Sequence, residues 1–390
     1  MIHLLDAGMQ ISEQLVAFRR ELHRRPELSF QESGTASMVA DKLKALGIPF
    51  KSGVGGYGIV AEVHGCEAGP VIALRADMDA LPIQEETGLD YASIHPGVMH
   101  ACGHDAHTAI LLGAAQLLVQ HEFSGTIRLL FQSAEEINAG ARAMIAEGVL
   151  AGVDEIYGLH NLPTLPAGQV ATRYGPMLGA VDRIEIDVEG IGGHGAIPDR
   201  SVDPIVCASA IVMALQTVVS REISPFDPAV VTIGSFHSGE ANNVIPGRAT
   251  LTGTVRTFES RVQASMASRL ERVVRQIAEG YRCKAALKYI GQVPVLHNDE
   301  DCVRHVESVV DELIGANNRF AASPTLGGED FSLYLQQVPG CFFWLGSGPQ
   351  ENAEQAYGLH HPKFNLHEEC LPLGSSLLAA VALQRLSQKR

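Results

Sequence analysis

The chain has no CxxC pair, and its seven cysteines are scattered and odd in number. A disulfide framework is therefore excluded, and a reducing, cytoplasmic compartment is expected. Basic charge is scarce too: 29 Lys and Arg stand against 44 Asp and Glu, for a net charge of -15. That balance argues against nucleic acid or an anionic membrane as partner and leaves a small molecule as the expected ligand. Long hydrophobic runs are missing. The longest, residues 109–119 and 205–219, are too short or too interrupted by Ser, Gln and Thr to span a bilayer. Asp6 and Glu13 break the apolar core that a signal peptide needs, so mature cytoplasmic sequence is expected. No tandem repeat or low-complexity tract is visible.

What is present is a chain of 390 residues, 46% hydrophobic, enough for a large core and two domains. Residues 12–24 space Leu15, Phe18 and Leu22 as a helix that Pro26 stops, and a second helix over 35–46 ends at Gly47. Short Ile, Val and Leu runs follow at 59–63, 71–75, 126–131 and 155–159, alternating with helices at 108–120 and 139–147. This pattern predicts an α/β fold, a mostly parallel sheet with helices on both faces. The glycine-rich segment 53–58 invites a nucleotide-loop reading, but no strand clearly enters it and it reads as a turn.

From about 181 to 291 the style changes. Ile184, Ile186 and Val188 alternate strictly with Glu185, Asp187 and Glu189, so one face of this strand meets solvent. A helix (203–221), two strands (229–236 and 248–258), a helix (260–281) and a strand (283–291) complete the order βαββαβ of a ferredoxin-like unit. We therefore expect a domain inserted over 182–291, with 1–181 and 292–390 forming the main domain, which resumes at 303–314 and 341–345 and ends in a helix over 374–386.

The chemistry-bearing residues sit at strand ends. Met99-His100-Ala101-Cys102-Gly103-His104-Asp105-Ala106-His107 puts a thiol, three imidazoles and a carboxylate into nine residues before an apolar helix. Such soft and borderline donors concentrate where a transition metal is held. The 71–75 strand runs into Asp77 and Asp79, the 126–131 strand into Glu135 and Glu136, and the 155–159 strand into His160. In open α/β sheets ligands bind beyond the carboxyl ends of strands, so these groups can converge. Glu135 and Glu136 read as a pair with divided labour, one ligating metal and the other facing a water. Late in the chain, His360 and His361 precede Pro362; one of them reads as a ligand, and spacing does not choose. His23, His64, His95, His121, His237, His297, His305 and His367 stand outside any constellation, while His100 and His107 are placed to support ligands.

These motifs, with Leu74-Arg75-Ala76-Asp77-Met78-Asp79-Ala80-Leu81-Pro82, Ala134-Glu135-Glu136, Gly158-Leu159-His160-Asn161 and Leu359-His360-His361-Pro362, resemble the metal-dependent aminoacylase and carboxypeptidase superfamily. The nearest branch holds hippurate hydrolases, N-acyl-amino-acid amidohydrolases and indole-acetyl-amino-acid hydrolases. The resemblance implies that Cys102, His104, Glu136, His160 and His360 bind two divalent ions (Zn, Mn, Ni or Co), with Glu135 as general base. It further implies that Asp79 orients an imidazole, and it leaves Asp77 as an outer partner or a ligand. In the inserted domain it implies that His194, in Gly192-Gly193-His194-Gly195, stabilises the oxyanion of a partner subunit. Asn243 and Arg256 would then hold the substrate carboxylate, and the Gly327-Gly328-Glu329-Asp330 loop lies beside the site. The implied protein is a homodimeric amidohydrolase that cleaves the amide of N-acyl amino acids with metal-activated water, its inserted domain acting as lid and dimer contact. The rival readings are a dipeptidase or aminopeptidase of the same superfamily, a thiol enzyme using Cys102 as nucleophile, and a binding protein that has lost the chemistry.

Overall fold

A computed structural model describes residues 2–388. One compact unit runs to Met177 and returns over His297–Ser323 and from Asp330 onward; a second takes Leu178–Leu296 together with Pro324–Glu329. The last segment corrects the sequence reading, which left it in the main domain. Its backbone is tied to the start of the second unit, where Gly179 N donates to the carbonyls of Thr325 at 2.9 Å and Gly327 at 3.0 Å.

In the first unit an eight-stranded sheet has Glu67–Asp77 at its heart, flanked in parallel by Ser124–Gln132 and Glu155–Pro166, with Gly340–Gly348 parallel to the latter. Antiparallel pairs extend the sheet outward, including Phe50–Val54 with Gly58–His64. Both faces are covered because both sets of alternating side chains are apolar. Leu74, Leu129 and Phe343 join a core built with the helices His104–Leu118, Glu300–Ile314 and Cys370–Gln388. On the opposite face Phe342 packs at a tilt against Phe331, and Tyr334 OH donates to Gln132 at 3.0 Å, bringing in the short helices Gly140–Ala146 and Phe331–Leu335. A strand does enter the glycine-rich segment, contrary to expectation. A strand rather than a helix leaves it, so the segment is a hairpin turn and lacks the helix N-terminus that a phosphate loop requires.

The second unit carries a four-stranded antiparallel sheet in which Ala180–Glu189 lies between Arg248–Thr257 and Lys284–Val293, with Ala229–Ser238 outermost. Ile184, Ile186 and Val188 face the helices Pro204–Thr217 and Ser260–Gly280, and the acidic residues between them face out, as the alternation predicts. A second correction concerns the apolar run at 205–219. It belongs to a continuous helix, Pro204–Glu222, that is by length and composition apolar enough to cross a membrane, as is Cys370–Gln388. The latter is 78% buried in its own core, the former only 33%.

Candidate metal centre

The carboxyl ends of three neighbouring strands deliver the donors. Asp77 closes its strand opposite Gln132, Asp79 and the Glu135–Glu136 pair lie just beyond, and His160 sits inside a strand that continues to Pro166, level with Trp344. Cys102 and His104 arrive from the other direction, at the start of the His104–Leu118 helix. Between them Gly103 has φ of +90° and turns both side chains inward. An added Cβ there would lie 2.2 Å from Asn161 Nδ2, so the chain can pass only as glycine.

Hydrogen bonds decide which ring nitrogen each histidine has left. His104 Nδ1 is 3.2 Å from Asp79 Oδ1, and His160 Nδ1 is 2.8 Å from the carbonyl of Asn161. Each Nδ1–H donates to its oxygen, which turns Nε2 toward the centre. Nε2 of His160 lies 3.3 Å from Cys102 Sγ, and Nε2 of His360 lies 3.5 Å from Glu136 Oε2. His104 Nε2 and Glu136 Oε1 face each other at 3.8 Å, both buried and without a hydrogen-bond partner among the described residues. Donor atoms of Cys102, His104 and His160 lie within 4.8 Å of one another, as do those of Cys102, Glu136 and His360, and those of His104, Glu135 and Glu136. Buried polar atoms left this way cost roughly 1–3 kcal/mol each, a cost that a shared divalent cation removes. Bonds of about 2.0–2.3 Å put ligands of one ion at such separations, so these residues fit a metal.

Two nearby imidazoles have nitrogens engaged elsewhere, although the donor atoms of Asp77, His104 and His107 also lie within 4.8 Å of one another. His107 donates from Nδ1 to Asp77 at 2.6 Å and accepts the Asn161 amide at Nε2 at 2.9 Å, so neither nitrogen remains. His361 is exposed, stacked on Tyr357, with Nδ1 accepting the Lys363 amide. Spacing left His360 and His361 open; both are exposed, but only His360, with φ of +64° and its amide on the Ala101 carbonyl, brings Nε2 to Glu136. Asp77 also has both oxygens engaged, by Arg75 at 2.7 Å and His107, which makes it an outer partner. Beneath it Asp330 accepts from Arg75, Gln132 and Ala141 N, a buried role in the floor of the site.

Burial, reinforced by Glu136 and Glu135, pushes the Cys102 thiol well above its usual pKa. Either role, nucleophile or metal ligand, needs the thiolate, which a neighbouring cation would favour. His104 is pushed up to about 10: burial opposes the proton, but Asp77, Asp79 and Glu136 together overcome it. An anionic pocket of this kind suits a cation.

The second unit holds the remaining candidates. His194 pairs with Val244 in a short ribbon, exposed, its Nδ1 accepting the Ala196 amide at 3.1 Å, and Asn243 accepts Gly195 N through its carbonyl. Arg256 is half-buried on its strand, with Nε donating to Thr254, and Gly328 packs beside its guanidinium. Glu329 is buried in the same unit. Sequence reasoning missed the support behind Asp105. There Arg19 Nε and His23 Nδ1, each 2.7 Å from Asp105 Oδ2, pin the first turn of the ligand-bearing helix. His23, read as solitary, is thus a partner across 82 residues.

Residues 73–384 match the model of the peptidase family M20/M25/M40. The chain belongs to this family. It is 44% identical over 378 residues to an N-acetylcysteine deacetylase of Bacillus subtilis, covering 95% of this chain and 96% of that one. An IAA-amino acid hydrolase of Arabidopsis thaliana is 40% identical, covering 95% of this chain and 86% of the relative. Among solved structures, the Bacillus subtilis YXEP protein, described as a dinuclear metal-binding peptidase of family M20, superposes with a TM-score of 0.85 at 39% identity. That superposition covers 97% of this chain and 99% of the other. This M20 chain is an amidohydrolase by family, and its fold is that of its M20 neighbours.

Proposed function

We propose that this M20 enzyme hydrolyses the amide of N-acyl amino acids, with two divalent ions held by Cys102, His104, Glu136, His160 and His360. The observation that carries the reading is the pair of buried, unpartnered atoms, His104 Nε2 and Glu136 Oε1, set among the Cys102 thiol and the two other imidazoles. Ions of Zn, Mn, Ni or Co at these residues supply acidity to water, from a pKa near 16 toward about 7, and polarise an acyl carbonyl. Glu135 takes the proton as the water oxygen attacks the acyl carbon, then delivers it to the nitrogen as the C–N bond breaks. Asp79 holds the Glu135 amide at 3.1 Å and the Glu136 amide at 3.0 Å, so it aims both carboxylates as well as the His104 ring. We assign Asn243 and Arg256 to the substrate carboxylate, and His194 to the developing oxyanion in a partner subunit.

A homodimer through the second unit is supported by the apolar residues that its outer helix leaves in solvent, Val206 at 52% and Met213 at 72% exposed, with Phe226 nearby at 91%. A cytoplasmic setting follows from the need to keep Cys102 reduced. The deacetylase and hydrolase relatives support an acyl cap rather than a free amine. Metal-reconstituted protein tested on N-acetyl, N-benzoyl and free-dipeptide substrates decides this. We expect cleavage of the acylated compounds; preference for the free amine selects the dipeptidase reading, and no hydrolysis of any of them selects a binding protein.

A further inference from the structure

The loop between the helices Ser12–Arg24 and Ser33–Ala45 reaches the turn that carries Glu135 and Glu136. Ser29 Oγ donates to Asp79 Oδ2 at 2.6 Å, and Glu32 Oε1 accepts the amide of Ala134 at 2.8 Å. With Asp79 on the next two amides, three consecutive N–H groups, 134 to 136, end on two buried carboxylates from separate parts of the chain. Ala134 has φ of +56°, a left-handed conformation that a non-glycine residue keeps only where its surroundings enforce it. That reversal aligns the three amides.

Glu32 is placed for this contact and not for capping its helix. It stands at the N-cap of the Ser33–Ala45 helix yet makes no side-chain cap bond. Glu27 caps instead, accepting Gly34 N at 2.9 Å and Thr35 N at 2.8 Å. Glu32 is fully buried, and its Oε2 has no hydrogen-bond partner among the described residues. A helix cap or a surface charge would not need that burial.

We propose that Glu32 is a positioning residue for the hydrolysis. Through the Ala134 amide it locks the turn that aims Glu135 at its water. The inference rests on Glu135 being the base, as proposed above. A misplacement of about 1 Å in such a group costs on the order of 100-fold in rate.

The test compares Glu32→Ala, Glu32→Gln and Glu135→Gln for kcat, KM, bound metal by elemental analysis and thermal midpoint. We expect Glu32→Ala to lose about 10- to 100-fold in kcat with KM and metal content unchanged. Glu32→Gln keeps an oxygen for the Ala134 amide and should recover most of that loss. A folded, metal-loaded Glu32→Ala enzyme with wild-type kcat overturns the proposal, as does a loss that tracks lost metal or that Gln fails to rescue. If the Ala variant does not fold, Glu32→Asp, one methylene short of Ala134, takes its place with the same expected pattern. Wild-type turnover in Glu135→Gln would instead overturn the assignment of the base, separating that failure from this one.

Discussion

Replacing Gly103 with alanine is the sharpest probe of how the centre is held. The new methyl carbon would stand 2.2 Å from Asn161 Nδ2, about 0.8 Å inside the closest approach such carbons make. Asn161 cannot yield. Its amide nitrogen donates to the Cys102 carbonyl at 2.6 Å and touches His107 Nε2 at 3.0 Å, while its oxygen accepts from Ser347 at 3.1 Å. The 102–104 backbone must move instead, carrying the thiol and an imidazole with it. The left-handed backbone adds about 1–2 kcal/mol and the overpacking about 1–3 kcal/mol. If metal binding demands the original geometry, affinity falls by roughly 30-fold or more, since about 1.4 kcal/mol is a factor of ten. Gly148→Ala is the control, because its φ is +80° but nothing lies within 4 Å of the added carbon. It carries the backbone strain without the clash. Competition with a chromogenic chelator measures both variants. A Gly103→Ala protein that binds metal as tightly as Gly148→Ala would refute the idea that Asn161 is an immovable wall.

The paired carboxylates separate by assay: Glu135→Gln should retain metal and lose about 100- to 10,000-fold in kcat, whereas Glu136→Ala should lose metal itself, as elemental analysis beside kinetics will report. Chelation with EDTA should abolish activity and Zn, Mn, Co or Ni should restore it; activity that survives complete metal removal would return Cys102 to the role of nucleophile. Burial, with the Asp79 charge adding to it, outweighs the backbone amides and raises Glu32 to about 7. The folded state therefore favours its proton, and wild-type stability is lost as pH climbs from the unfolded value near 4 through 7. Glu32→Gln removes this titration, so its melting temperature should gain on wild type between pH 5 and 8. A constant difference across that range would contradict the assignment.

Much of the centre was legible because its chemistry is written in residue types that have few other uses at strand ends. Cys102 and His104 stood out in a donor cluster before an apolar helix, the Glu135–Glu136 pair and His160 from their positions after apolar strands, and the βαββαβ order announced the second unit. The resemblance chose His360 over His361; the structure brings His360 Nε2 within 3.5 Å of Glu136 on a left-handed backbone that spacing cannot express. Hidden from the sequence were the residues that act at a distance. Arg19 and His23 look like one face of an ordinary amphipathic helix, and Glu32 looks like a cap. Their roles appear only when the fold carries them to Asp105 and Ala134, 82 or more residues away. His107 shows the converse. It stood in the richest donor cluster, yet both of its nitrogens are spent on Asp77 and Asn161.

The position of Gly340–Gly348 beside Glu155–Pro166 has a consequence for how the protein is made. On the ribosome the His160 strand is complete long before its neighbour exists. At about 5–20 residues per second it waits roughly 10–40 s with one edge unpaired. The chain of the second unit emerges during that wait. An open, apolar edge is the site where nascent copies stick to one another, so yield in a cell should depend on what shields residues 155–166 until residue 348 appears. His360 follows only then, which makes a fully liganded centre a product of the finished chain.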